Sequence, residues 1–178
     1  MAIKGRTDRA SWTGQGLPLL GRLYKGGRRS QEDIARNRPG PDLDHFRFEP
    51  ADRYAALIGD AFEQVYKPRP VEIKEVYAFG DSVEGAFETW MEEWARSGLL
   101  RRCDGETMTN WYNPANARVM STPKPCEPDV CKCKPLGRMR LVLPALMQYT
   151  GVFGYVQLTT HSQIEIDRIT ARLFALEA

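Results

Sequence analysis

All four cysteines of the chain, Cys103, Cys126, Cys131 and Cys133, fall in one stretch, 103–137, which also holds Pro114, Pro123, Pro125, Pro128 and Pro135. Such a stretch lacks the apolar periodicity that would let it bury a core of its own. Four thiolates suit a zinc ion, which takes sulfur at about 2.3 Å in a tetrahedron and returns its binding free energy as folding free energy. The intervals are 22, 4 and 1 residues; the middle one lies in the usual ligand range, the last is tighter than usual and the first is long. Two disulfides, a three-cysteine site completed by His45 or His161, and simple reduced thiols compete with the zinc reading. A closed four-sulfur shell leaves no position for water, so the site is expected to be structural, not hydrolytic.

Other chemistries find less material. His45 and His161 are far apart in sequence and form no HExxH arrangement. Gly14, Gly16, Gly21, Gly26 and Gly27 match neither a P-loop nor a GxGxxG following a strand, and they read better as turn glycines. Asp104, Glu106, Glu127 and Asp129 lie near the cysteines, where solubilising loop carboxylates are commoner than acid–base pairs. The chain is therefore expected not to be an enzyme. Lys124, Lys132, Lys134, Arg138 and Arg140 surround the later cysteines, and Arg101 and Arg102 precede the first. They read either as a rim compensating an anionic metal centre or as contacts for a partner. Trp111 and Tyr112, between Asn110 and Asn113, are candidates to anchor a partner or stack on bases.

The 178 residues have the composition of a globular chain, 42% hydrophobic and 10% aromatic, with a net charge of only +2. That charge is polarised. Residues 1–38 carry nine Lys or Arg against three acids, +6, leaving −4 for the remainder. Arg6, Arg9, Arg22, Lys25, Arg28 and Arg29 are thus candidates for nonspecific contact with DNA or RNA phosphate. No apolar run is long enough for a membrane span and no signal-peptide pattern follows Met1, so a cytoplasmic protein with no membrane role is expected. Thiols in that compartment hold metal more often than disulfides.

Periodicity supplies the elements. A basic Gly/Arg-rich arm with one strand is expected over 1–40, and an α+β core over 41–178 that includes a zinc loop at 101–140. Tyr54, Leu57, Ile58, Ala61, Phe62 and Val65 line one face of a helix that ends before Pro68. Val71, Ile73, Tyr77 and Phe79 read as a strand. Phe87, Trp90, Met91 and Trp94 predict a second helix, capped by Asp81 or Ser82 and ended by Gly98. Met139, Leu141 and Leu143, then Val152, Val156 and Leu158, predict a strand pair. Ser162 and Glu165 in capping-box spacing open a last helix through Leu176. The class is α+β, a small sheet with about three helices and a Pro-rich zinc-bound loop.

Several segments together resemble one family. They are Pro18-Leu19-Leu20-Gly21-Arg22-Leu23, Asp44-His45-Phe46-Arg47-Phe48 and Leu99-Leu100-Arg101-Arg102-Cys103-Asp104-Gly105-Glu106, followed by Cys126, Cys131-Lys132-Cys133 and Leu141-Val142-Leu143-Pro144. In this order, from about residue 18 to 175, the chain is similar to the phage recombination directionality factor-like proteins. The resemblance implies a protein that binds a large serine integrase and favours prophage excision over integration without cutting or joining DNA. On that reading Trp111, Tyr112, Arg101, Arg102, Lys132 and Lys134 face the integrase or another protein of a DNA-bound complex. The alternative is a zinc-stabilised nucleic-acid-binding subunit of a larger ribonucleoprotein or DNA-processing complex.

Overall fold

A computed structural model describes residues 17–177 apart from 37, 39, 81, 128 and 130. Arg6 and Arg9 of the basic arm, and Asp81, therefore lie outside the described residues. In chain order the elements are β1 (Leu19–Gly26), α1 (Gln31–Ala35), β2 (Asp42–Pro50), α2 (Ala55–Tyr66), β3 (Tyr77–Ala78), α3 (Val83–Ala86), β4 (Phe87–Ala95) and β5 (Gly98–Cys103). They continue with β6 (Thr107–Asn113), β7 (Arg118–Met120), β8 (Lys124–Pro125), β9 (Lys134–Val142), α4 (Pro144–Thr150), β10 (Tyr155–Thr160) and α5 (Gln163–Glu177). Among the described residues strand exceeds helix, 39% against 29%. The expected small sheet with about three helices is thereby corrected to ten strands accompanied by five helices, most of them short. No helix among the described residues is long and apolar enough to cross a membrane.

The chain forms two compact units. The first runs to Tyr77 and takes in Val142–Gln157. Its β1 and β2 pair antiparallel, Leu23 opposite Phe48 and Tyr24 opposite Arg47. Alternation along these strands sends Leu23 and Phe48 to one side, where Phe62 of α2 stacks on Phe48 with ring centroids 4.1 Å apart. Leu20, Ile58, Leu143, Leu146 and Val156 complete this core. Of the α2 stripe expected from its spacing, Ile58, Ala61 and Phe62 are buried, whereas Leu57 is exposed. Two short helices escaped periodicity because local capping, not amphipathicity, sets them. In α1 the Ser30 hydroxyl accepts from the Asp33 N–H at 3.1 Å while the Asp33 carboxylate accepts from the Ser30 N–H at 3.1 Å. In α4, Pro144 occupies the first turn, where a missing N–H costs nothing, and Gly151 closes the end at φ 68°.

The second unit comprises Ala78–Leu141 and Leu158–Ala178. Its strands lie in the order β9-β4-β5-β6-β7, with β8 also on β6. The predicted helix over 82–97 is here a single turn, α3, capped by the Ser82 hydroxyl on the Gly85 N–H at 3.0 Å, followed by β4. The stripe Phe87, Trp90, Met91 and Trp94 fits helical spacing, but tertiary partners on both edges override it: β4 is laddered antiparallel to β5 and to β9. Extended backbone places Glu88, Trp90, Glu92 and Trp94 on one face. There Glu92, 3% exposed, receives Arg138 through both oxygens at 2.9 and 2.5 Å, Arg102 Nε at 2.7 Å and the Trp94 indole N–H at 2.7 Å. Those arginines stand 46 and 10 residues away in sequence, beyond any local pattern. Arg140 reaches Glu88 on the same face.

Two further expectations change. The strand over Val71 to Phe79 shrinks to β3, because Lys67 and Glu75 adopt positive φ and break extended backbone on either side of Pro68 and Pro70. The zinc loop at 101–140 is largely strand, with β6, β7, β8 and most of β9 inside it. Gly137 of β9 illustrates how tightly this sheet is covered: a Cβ there would stand 2.6 Å from the Phe87 ring and 3.1 Å from Ile166 of α5. At the start of α5 the Ser162 hydroxyl accepts the Glu165 N–H at 3.4 Å, and the Glu165 carboxylate accepts from Thr160 Oγ1 at 2.8 Å.

Glu92 gives the fold a testable acid. Burial pushes its pKa up, but the Arg138, Trp94 and Arg102 hydrogen bonds outweigh this and hold it below the ordinary glutamate range. A depressed folded pKa contributes stability above the unfolded value, and that contribution is lost as pH falls through the lower folded value. Glu92→Ala is expected to cost about 3–5 kcal/mol at neutral pH, because two arginines lose their counter-charge. The cost should shrink in urea unfolding repeated below about pH 4; a loss under about 1 kcal/mol at neutral pH would show that the network is not a strong brace.

Candidate metal centre

The turn between β5 and β6 is built by Asp104, Gly105 and Glu106. Asp104 Oδ1 accepts the N–H groups of Glu106 at 2.9 Å and Thr107 at 2.7 Å, and these two bonds hold its pKa down. Gly105 takes φ 109°, which a side chain strongly disfavours. The Glu106 carbonyl accepts the Cys126 N–H at 2.6 Å. The residues leading into this turn are engaged as well. Arg101 pairs with Glu93 at 3.4 Å, Arg102 pairs with buried Glu92, and Cys103 ends β5 fully buried.

The long interval between the first two cysteines is taken up by an excursion. β6 leaves the turn and β7 returns on it, Trp111 opposite Met120 and Asn113 opposite Arg118. The chain then brings β8 back to the start of β6, Thr107 opposite Pro125 and Met108 opposite Lys124. Cys103 is itself opposite Met108, so β6 is flanked at its first residues by two segments that each end in a cysteine. On the other side Met91 of β4 faces both Cys103 and Pro135, which brings the lead-in to β9, with Cys131 and Cys133, to the same place. The Cys131 N–H donates to the Glu127 carbonyl at 2.9 Å.

The result is a cluster. The sulfurs of Cys103, Cys126 and Cys131 all lie within 4.8 Å of one another; Cys133, two residues beyond Cys131, is not among these three, but the sulfurs of Cys131 and Cys103 are near enough to raise its pKa. None of the four is in a disulfide. Their electrostatics are those of thiols crowded around too little positive charge. Burial first, then the neighbouring sulfurs, push the Cys126 thiol up to about 12 and raise Cys133 as well. Burial acts the same way on Cys131, but hydrogen bonds from Cys133, Cys126 and Cys103 outweigh it and lower its pKa. One sulfur is thereby favoured as thiolate, solvated by the protons of its neighbours. A donor set of soft sulfur, converging and unoxidised, fits a metal ion that prefers thiolate.

The histidines weighed as a fourth ligand stand elsewhere in hydrogen bonding: His45 Nδ1 pairs with Asp44 at 2.7 Å, and the His161 ring meets the Pro135 carbonyl. Of the basic residues, Lys132 and Lys134 are exposed. Arg138 and Arg140 serve the acids of β4, and Lys124 stands over the Trp111 ring at 3.9 Å. Trp111 is half-buried, with its indole N–H on the Thr122 carbonyl at 3.0 Å, whereas Tyr112 is exposed. In the first unit, Arg28 pairs with Glu49 at 3.0 Å, Arg29 donates to the Asp33 carbonyl at 3.0 Å, and Arg22 and Lys25 are exposed on β1. Sequence reading missed Glu92. The signal available was the shared parity of Glu88 and Glu92 with Arg138 and Arg140, legible only once both segments are taken as strands.

A model of the Gp3-like, recombination directionality factor-like family matches residues 20–178, which include the turn block, all four cysteines and both units. No curated protein and no solved structure gives a match. With a match over nearly its whole length, the chain belongs to the recombination directionality factor-like family.

Proposed function

We propose that this protein is a non-enzymatic regulator that binds a large serine integrase and biases it toward excision, and that its four cysteines hold one structural zinc ion. Membership of the recombination directionality factor-like family is the observation that carries the first part; convergence of the thiols carries the second. At about 2.3 Å from zinc, sulfurs in a tetrahedron are about 3.8 Å apart, inside the 4.8 Å spread of Cys103, Cys126 and Cys131. Bound there, zinc supplies cross-linking: it ties the end of β5, the end of β8 and the approach to β9 into one knot. Four protein sulfurs leave no position for an activated water, in keeping with a binding role.

Regulation of this kind is differential binding. A factor that holds two arrangements of the integrase equally well shifts neither. Turning a 99:1 preference into its reverse takes about 10⁴-fold tighter binding to the favoured one, roughly 5.5 kcal/mol. A rigid sheet, braced by the Glu92 network and the sulfur knot, suits such discrimination, because a soft surface would adapt to both arrangements.

Two outcomes are expected. Because the Cys126 and Cys133 protons must leave when metal binds, affinity should weaken as pH falls, by roughly tenfold per displaced proton for each unit. Competition with a chromophoric chelator between pH 6 and 8 measures it, and a flat profile argues against thiolate ligation by these residues. In the reconstituted reaction, the protein should co-purify with the integrase of its own phage and stimulate excision between hybrid sites while inhibiting integration. Inertness with a matched integrase removes the proposal. Direct binding to DNA or RNA that weakens steeply with salt, without integrase, favours the nucleic-acid-binding alternative.

A further inference from the structure

One face of the second unit carries an apolar row that the fold does not use. Trp94 lies beside buried Glu92, to whose carboxylate its indole N–H donates at 2.7 Å, yet the side chain remains 56% exposed. Its only polar atom is satisfied internally and its ring is held in place. Opposite it on β5 is Leu99, half-buried. Arg102, bound to the same Glu92, faces Asn110 on β6. Alternation from Asn110 puts Tyr112 on that face too, and Tyr112 stands opposite Val119 of β7. Tyr112 is 37% exposed and Val119 47%. Trp94, Leu99, Tyr112 and Val119 therefore cross β4 to β7 on one side. The other side holds Trp111, occupied by Lys124 and the Thr122 carbonyl.

Charge around the row is one-sided. No acid occurs between Ala95 and Cys103 or between Thr107 and Met120. Arg96, in the turn that follows Trp94, is exposed and forms no ion pair among the described residues. Trp and Tyr are the residues on which binding energy concentrates, and a ring fixed before contact loses little entropy on docking. An unpaired arginine beside it, with no acid in the flanking segments, selects a surface rimmed by carboxylates.

We infer that this row is the docking face for a protein surface of apolar side chains flanked by carboxylates, which, resting on the function proposed above, belongs to the large serine integrase. The probe is the purified integrase of the same phage, immobilised, with association and dissociation followed for the full-length protein and its variants. Tyr112→Ala and Val119→Asp should each weaken binding about tenfold or more. Arg96→Glu should slow association severalfold at low salt, and Arg172→Glu on α5 should change neither. Val119 sits on an exposed three-residue edge strand, so its variant is expected to fold; unchanged melting and metal content are checked on each sample. Wild-type binding with all row variants within about twofold of it overturns the docking face and leaves the integrase reading standing. Faster association of the charge-reversed variant overturns the acidic rim. No wild-type binding at all removes both readings together.

Discussion

The cysteine-bearing end of the second unit turns on the crowding of thiols into one place, with Cys103, Cys126 and Cys131 within 4.8 Å of one another and Cys133 two residues on. Thiols brought this close repel any second thiolate, which is why Cys126 and Cys133 cling to their protons while Cys131 gives its proton up more readily. Such a cluster is costly for a folded chain unless a cation neutralises it or oxidation removes it, and the four cysteines are not in disulfides. Cys103 ends a strand laddered on both edges, but the segments that supply the other three are short of other means of attachment. β8 has two residues, the stretch between it and β9 has no regular element among its described residues, and the Cys126 and Cys131 N–H groups donate to the Glu106 and Glu127 carbonyls.

A second constraint works beside it. Glu92 gathers Arg138 from β9, Arg102 from β5 and Trp94 from its own strand, so that three strands share one buried carboxylate. Arg102 adds a contact over the Trp90 ring at 5.5 Å. The network gains little net stability against a well-packed apolar alternative. What it fixes is register: a one-residue slip of β5 or β9 would take an arginine to the wrong face and leave Glu92 unpaired. The cysteine cluster and the network lie one residue apart on β5, at Cys103 and Arg102.

Much of this was legible from the residues. Helix α2 showed itself by a greasy stripe, and α5 by Ser162 and Glu165 ahead of Ile166, Ile169 and Leu173. The cysteines pointed to one place because the segment around them had no other source of order, and the Arg101-to-Glu106 block pointed to the family. What stayed hidden had a physical reason. β4 reads as a helix because its apolar residues happen to fall at 87, 90, 91 and 94. Only the ladders on both sides, made with residues 98–103 and 134–139, decide for a strand. The interval between Cys103 and Cys126 looked long for a metal site because spacing counts residues along the chain, whereas the β6–β7 excursion returns β8 to where it began.

If four sulfurs of one chain surround a single divalent ion, X-ray absorption at the zinc edge, on protein purified under reducing conditions, will register them as its neighbours. The expected spectrum is that of one zinc per chain with four sulfurs at about 2.3 Å and no nitrogen or oxygen among them. A first shell containing nitrogen or oxygen, or protein that folds fully with no bound metal, would refute the four-sulfur centre.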